Sequence, residues 1–339
     1  AQRTKKTLPE YHAVLLQGLT NRTMIGSTKF RAQSLLRRRS TVPRTTNGFG
    51  TAPVFLAAIS TILGAILFLR FGYATGNLGF PGMVAMILLG HMVTIPTALA
   101  LAEIATNQRV EGGGEYFIIS RSFGPLIGAA AGLALYLSQT ISIAFYVIAF
   151  AEAFGPVFDY LRETFGIVVA DPRLISLPTM ALLALLMSFG GANVGVAALY
   201  AIVGLLFLSL ALFFLGAPVS APANGIHPLL ASVQHPDSFF RVFAICFPAF
   251  TGMTAGVGLS GDLRDPKRAI PLGTFSATLC GMIVYIFVAL KLASSASPED
   301  LVADQLIMAR IALWGPIIPI GLACATLSSA LGSILVGPR

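Results

Sequence analysis

Apolar runs of about 20 residues, the length needed to cross a bilayer as a helix, recur near 52–75, 80–105, 123–155, 174–192, 195–217, 239–261, 270–293 and 315–336. Lipid offers no partner to an open backbone group, so each run must close its hydrogen bonds within a helix or a sealed barrel. Barrel strands would alternate every second residue, and these runs do not. The pattern predicts an all-α membrane protein with eight spans. Composition agrees: the chain is 55% apolar and 11% charged, with a mean hydropathy of +0.81. A soluble surface usually needs about 25% charged residues. A soluble enzyme, a nucleic-acid binder and a disordered chain are set aside.

The charge is unevenly placed. Residues 1–50 hold ten Lys/Arg and one acid, Glu10, whereas the remainder holds 12 Lys/Arg and 13 acids. Residues 1–49 therefore read as a basic cytoplasmic N-terminal tail, facing anionic lipid, and residues 50–339 as the membrane domain. No signal peptide is expected, since the first apolar run starts only near residue 52. With the tail inside, Arg264, Lys267 and Arg268 fall inside, and Glu299, Asp300 and Asp304 fall outside, in line with the positive-inside rule. Asn21-Arg22-Thr23 matches a glycosylation acceptor but sits in the cytoplasmic tail. Arg37-Arg38-Arg39 reads as a solvated charge run. Cys246, Cys280 and Cys324 lie unpaired in apolar runs and read as small buried hydrophobes.

Two spans differ from plain anchors. The first carries Ser60-Thr61-Ile62-Leu63-Gly64-Ala65-Ile66 at mid-membrane depth. The sixth carries Pro248-Ala249-Phe250-Thr251-Gly252-Met253-Thr254 at the same depth, with Pro248 removing a backbone donor. Glycine and proline can serve close packing alone. Here the two spans stand five apart in order, which predicts two inverted five-helix repeats whose broken first helices meet at the midplane. A break bares amides at one new helix end and carbonyls at the other. Amides attract anions and carbonyls attract cations, so a charge-free break can hold both signs.

Arg70 and Glu152 are the notable intramembrane charges and are expected to pair across the outer vestibule. His91 reads as a hydrogen-bonded packing residue, and Glu103 and Lys291 as snorkelling edge residues. The Gly-rich stretch 112–114 lacks a Walker lysine and reads as a turn entering a short interfacial helix, not a nucleotide loop.

Over residues 48–339 the sequence resembles the cation–chloride cotransporter family, within the amino acid–polyamine–organocation superfamily. Five stretches carry the likeness: Gly64 to Arg70; Glu111 to Pro125; Tyr146 to Glu152; Leu259-Ser260-Gly261-Asp262-Leu263 with Asp265-Pro266 and Ala269-Ile270-Pro271; and Ala325 to Leu331. Thr61-Ile62-Leu63-Gly64 looks more like microbial members; animal members carry Asn where this chain has Thr61.

The resemblance implies a set of ion sites. Potassium would use Thr61, Ile62, Tyr146, Pro248 and Thr251. An upper chloride would sit on the amides of Gly64, Ala65 and Ile66, and a lower one on Gly252, Met253 and Thr254. Sodium would use Ser60, Leu63, Ala325, Ser328 and Ser329. Arg70 and Glu152 match the family's extracellular gate. Sodium-coupled members keep both serines, and retained Tyr146 favours potassium, so a sodium-potassium-chloride type is implied. No cofactor and no catalytic residue are expected.

The fold so implied is a five-plus-five inverted repeat with helices 1 and 6 broken. It needs ten core spans, and the sequence is expected to stop after the eighth, with spans nine and ten missing. The implied function is electroneutral symport of sodium and/or potassium with chloride, by alternating access, in a multi-pass cell-membrane protein. Inorganic ions, the lipid bilayer and a homodimer are the candidate partners, and nucleic acid is not. An amino acid or polyamine permease of the same superfamily is the alternative within transport; a non-transporting subunit or receptor is the alternative outside it.

Overall fold

The computed structural model of the chain describes residues 48–107, 114–168, 171–220 and 228–336, with side chains left aside at 186–198, 228 and 335–336. The tail motifs at Asn21 and Arg37, and the glycines 112–113, lie outside the described residues. The rest is helical, with a single isolated bridge, Phe49 to Leu263, among the described residues.

The first span is split. Helix α1 covers Thr51–Ile62, and α2 covers Ala65–Asn107, with Leu63 and Gly64 between them. Helix α2 is itself two crossings. It turns at Gly79, whose φ of 63° only glycine adopts without strain. That turn falls in the connection expected between spans one and two. A short helix α3, Gly114–Phe123, follows the Gly-rich stretch as expected. Helix α4 covers Pro125–Glu152, opened by a proline in its first turn, and α5 covers Gly155–Phe165.

The expected spans 174–192 and 195–217 are joined in one helix, α6, Arg173–Phe214. Its apolar parts are Arg173–Leu185 and Leu199–Phe214. No proline falls between them, and glycines alone weaken a helix without ending it.

The sixth span is broken as well. Helix α7, Phe239–Cys246, tightens into a 3-10 turn over Phe247–Phe250, where Pro248 withholds a donor. After Thr251 and Gly252 the chain resumes as a 3-10 helix, Met253–Asp262. Helix α8 covers Pro266–Ser295 and α11 covers Ile317–Val336. Between them lie two short helices that the hydropathy pattern does not reveal, α9 (Pro298–Ala303) and α10 (Ile307–Ile311).

Helix α8 packs along α2 and α1, and α11 packs between α4 and α6. Close approach explains the glycines on α8: a Cβ at Gly281 would meet Ile62 Cγ2 at 2.5 Å. Away from the breaks the half-helices are clasped. Tyr73 donates to the Asp237 carboxylate, the Asp237 amide donates to Asn77 Oδ1 at 2.8 Å, and Arg241 pairs with Asp237 at 2.7 Å. Lys291 donates to the Gly216 carbonyl at 2.7 Å.

The α9 corner rests on Asp300. Its carboxylate accepts from Ser220 at 2.6 Å and Ser297 at 3.0 Å, with Arg310 at 3.7 Å. These hydrogen bonds, Ser220 first, hold the Asp300 carboxyl below its ordinary value. A depressed folded pKa adds stability above the ordinary carboxylate range and loses it as pH falls through the folded value. Asp300→Asn should therefore lower the unfolding temperature at neutral pH, with the gap from wild type closing below about pH 4. Thermal unfolding across a pH series checks this.

Candidate functional site

The two breaks touch. Gly252 has a φ of 95°, and a Cβ there would stand 2.7 Å from Thr61 Cγ2. Because α2 starts at Ala65, the amides of its first turn have no acceptor within the helix. The 3-10 helix from Met253 bares its leading amides in the same way.

A cavity of about 360 Å³ opens at the first break. Thr61, Ile62, Tyr146, Pro248 and Thr251, the whole expected potassium set, line it together. Gly64, Ala65 and Ile66, the expected upper chloride set, line the same cavity. No charged side chain does; the other walls are Ile141, Ser142, Phe145, Ile245 and Ala249. The Thr251 hydroxyl donates to the Pro248 carbonyl at 2.7 Å, so its lone pairs stay free for another partner.

A second cavity, of about 240 Å³, shares Thr61, Ser142, Tyr146 and Thr251 with the first. Its remaining walls include Gly252 and Thr254 of the second break and Ser329 of α11. Met253 of the same expected set is buried. Helix α4 serves both chambers: residues 141–146 face the first and residues 135–146 the second. The four shared residues are thus a partition between two chambers.

The expected sodium residues come together beside α1. Ser328 Oγ donates to Ser60 Oγ at 3.0 Å, and Ser60 donates in turn to the Ala57 carbonyl at 3.1 Å. Leu63 and Ala325 are fully buried. The Ser329 hydroxyl is buried without a hydrogen-bond partner, near the Tyr146 phenol but outside bonding geometry. Buried hydroxyls are normally satisfied, so Ser329 has donor and acceptor capacity to spare. Arg70 and Glu152 are not brought together: Arg70 is half-buried near Cys246, Glu152 is exposed at the end of α4, and no ion pair joins them. Among the described residues no group of three His, Cys, Asp or Glu side chains is arranged to hold a metal ion.

Sequence reasoning missed Tyr285. This side chain of α8 is fully buried. Its hydroxyl faces the Ile62 carbonyl at the end of α1 and the Ala249 carbonyl of the 3-10 turn, the latter at 2.7 Å. One phenol thus serves carbonyls from both breaks. Phe71, Phe250 and His91 pack around its ring at centroid distances of 4.9, 5.7 and 6.3 Å. His91 is the packing residue expected, its Nδ1 2.8 Å from the Ile87 carbonyl. The only advance signal for Tyr285 was a polar atom in an apolar run.

Crossing helices interrupted at paired positions define a broken-helix membrane protein, and comparison with known proteins agrees. The amino acid permease family matches residues 53–339, and the chain belongs to that family. It is similar to mouse solute carrier family 12 member 1, at 32% identity over 84% of this chain and 31% of the relative. Mouse member 2 is 31% identical over 84% of this chain and 28% of its own length, and zebrafish member 9 is 29% identical over 88% and 37%. The chain thus spans about a third of the length of these relatives. These similarities bear out the cation–chloride cotransporter resemblance read from the motifs. The crystal structure of MhsT in complex with L-phenylalanine superposes with a TM-score of 0.55 at 17% identity, covering 86% of this chain and 73% of that one. At that identity the likeness speaks for the fold alone.

Tyr285→Phe removes the shared donor and leaves two buried carbonyls without it. The cost should be about 1–3 kcal/mol, seen as a lower unfolding temperature in detergent; a variant as stable as wild type would show that the breaks do not need the phenol.

Proposed function

We propose that this chain is the transport domain of an electroneutral symporter coupling sodium and/or potassium to chloride, working by alternating access. The observation that carries the proposal is the shared lining of the first cavity. Neutral oxygens suited to a large cation and bare amides suited to an anion meet there without a competing charge.

Coupling then follows from electrostatics. Opposite unit charges about 5 Å apart attract by about 3 kcal/mol at an effective dielectric of about 20. A bound cation then raises chloride affinity roughly a hundredfold, and chloride does the same for the cation. A filled pair is neutral and crosses the low-dielectric barrier; a half-filled site is charged and is held back.

The four-residue partition between the chambers is where access would alternate. Ser60, Leu63, Ala325, Ser328 and Ser329 form the sodium site in this scheme, with the unpartnered Ser329 hydroxyl completing its shell. Arg70 and Glu152 form the outer gate, apart in the conformation described. The basic tail 1–49 lies on the cytoplasmic side of the cell membrane.

Amino acid uptake is the second reading. Apolar walls at Ile141, Phe145 and Ile245 would suit an apolar side chain, and the first-break amides a carboxylate. Rubidium and chloride flux into proteoliposomes holding the full-length protein separates the two. Flux that needs the cation and chloride together supports symport, whereas amino acid uptake indifferent to chloride supports the permease.

Tyr146→Phe should weaken potassium or rubidium activation by about tenfold, equivalent to about 1.4 kcal/mol, and sodium activation far less. Equal loss of both would sink the assignment of Tyr146. In the same assay Ser329→Ala should blunt the sodium dependence; an unchanged sodium curve would remove the sodium site.

A further inference from the structure

The second cavity contains a charge that the ion pocket between the breaks does not use. Glu115, in the first turn of α3, is the one charged residue among those lining it. Among the described residues no basic side chain pairs with its carboxylate. Above it the walls are graded. Helix α4 contributes Ser138 and Ser142, and α11 contributes Ser329 and Ser333. Each pair is spaced i, i+4, so each helix sets two hydroxyls one turn apart along one face. Tyr146 and Thr251 close the upper end, where the two chambers meet. The Ser329 hydroxyl, buried and unpartnered, adds a free oxygen to the same wall.

A cation leaving the pocket between the breaks by this route meets neutral oxygens at successive turns and then a carboxylate. We propose that Glu115, with Ser138, Gln139 and Ser333, forms a second site for a monovalent alkali cation at the far end of this cavity. A single carboxylate among neutral oxygens suits such an ion; a divalent ion usually gathers more carboxylates. Gly252 and Thr254 of the second break line the same cavity, and the carboxylate draws cations toward its far end. The role as an exit station rests on the transport reading above, whereas the site rests on the lining residues and their charge alone.

The ordinary explanation of Glu115 is a carboxylate that favours the start of a helix, and equilibrium binding separates the two. Radioactive rubidium is titrated onto the full-length protein in detergent. Wild type should bind in two classes, one tight and one weaker. Glu115→Gln should weaken the second class by about tenfold or more and leave the first within about twofold of wild type. Glu115→Asp, which keeps the charge, should retain both. Identical isotherms for wild type and Glu115→Gln would overturn the proposal, as would parallel loss of both classes in the Gln and Asp variants. Flux in proteoliposomes judges the other reading separately. Two binding classes with no flux would refute symport and leave this site standing; flux with a single class indifferent to Glu115→Gln would do the reverse.

Discussion

Interrupting a helix inside a bilayer strands peptide groups where no water reaches them, and this fold depends on how those groups are met. The two interruptions sit against each other, and the Tyr285 hydroxyl serves a carbonyl from each. An aromatic setting of Phe71, Phe250 and His91 fixes the ring that carries it. Carbonyls held in this way stay in place while the leading amides of the following half-helices lack an acceptor within their own helix. The candidate site therefore combines backbone groups of the two breaks with side-chain hydroxyls such as those of Tyr146 and Thr251.

This division explains what the sequence made legible. Both breaks could be located, because Gly64, Pro248 and Gly252 are where a membrane helix loses donors or gains unusual backbone freedom. Of the residues gathered in the first cavity, Gly64, Ala65, Ile66 and Tyr146 fall within the family motifs, whereas Thr61, Ile62, Pro248 and Thr251 lie at the breaks themselves. Tyr285 was hidden for a physical reason: a tyrosine in an apolar run looks like any packed aromatic until its hydroxyl's partners are known. Those partners are 223 and 36 residues away in sequence. Glu115 was hidden inside a glycine-rich motif whose turn and short helix drew the attention.

Where the pattern and the structure part, local rules explain the difference. The apolar runs at 174–192 and 195–217 are parted only by residues that weaken a helix without ending it, and α6 runs through the boundary. The helices α9 and α10 are of six and five residues, too short for any periodicity to announce. Ser297 caps the first of them by accepting from the Asp300 amide. Lys291 near the edge of α8 donates to the Gly216 carbonyl, 75 residues away in sequence, a partner no local pattern announces.

The bridge between Phe49 and Leu263 has a mechanical meaning. The Phe49 amide donates to Asp262 and its carbonyl accepts from the Arg264 amide, both at 2.9 Å. The residue that leads into α1 is thereby bolted to the strand of chain leaving the sixth crossing. The junction is tight: a Cβ at Gly48, next to the bridge, would stand 2.6 Å from the Arg264 nitrogen, so a glycine is needed where the two segments meet. Sliding one interrupted helix along the other at this end would break both bonds, so the entry to the first crossing and the exit from the sixth are held in register.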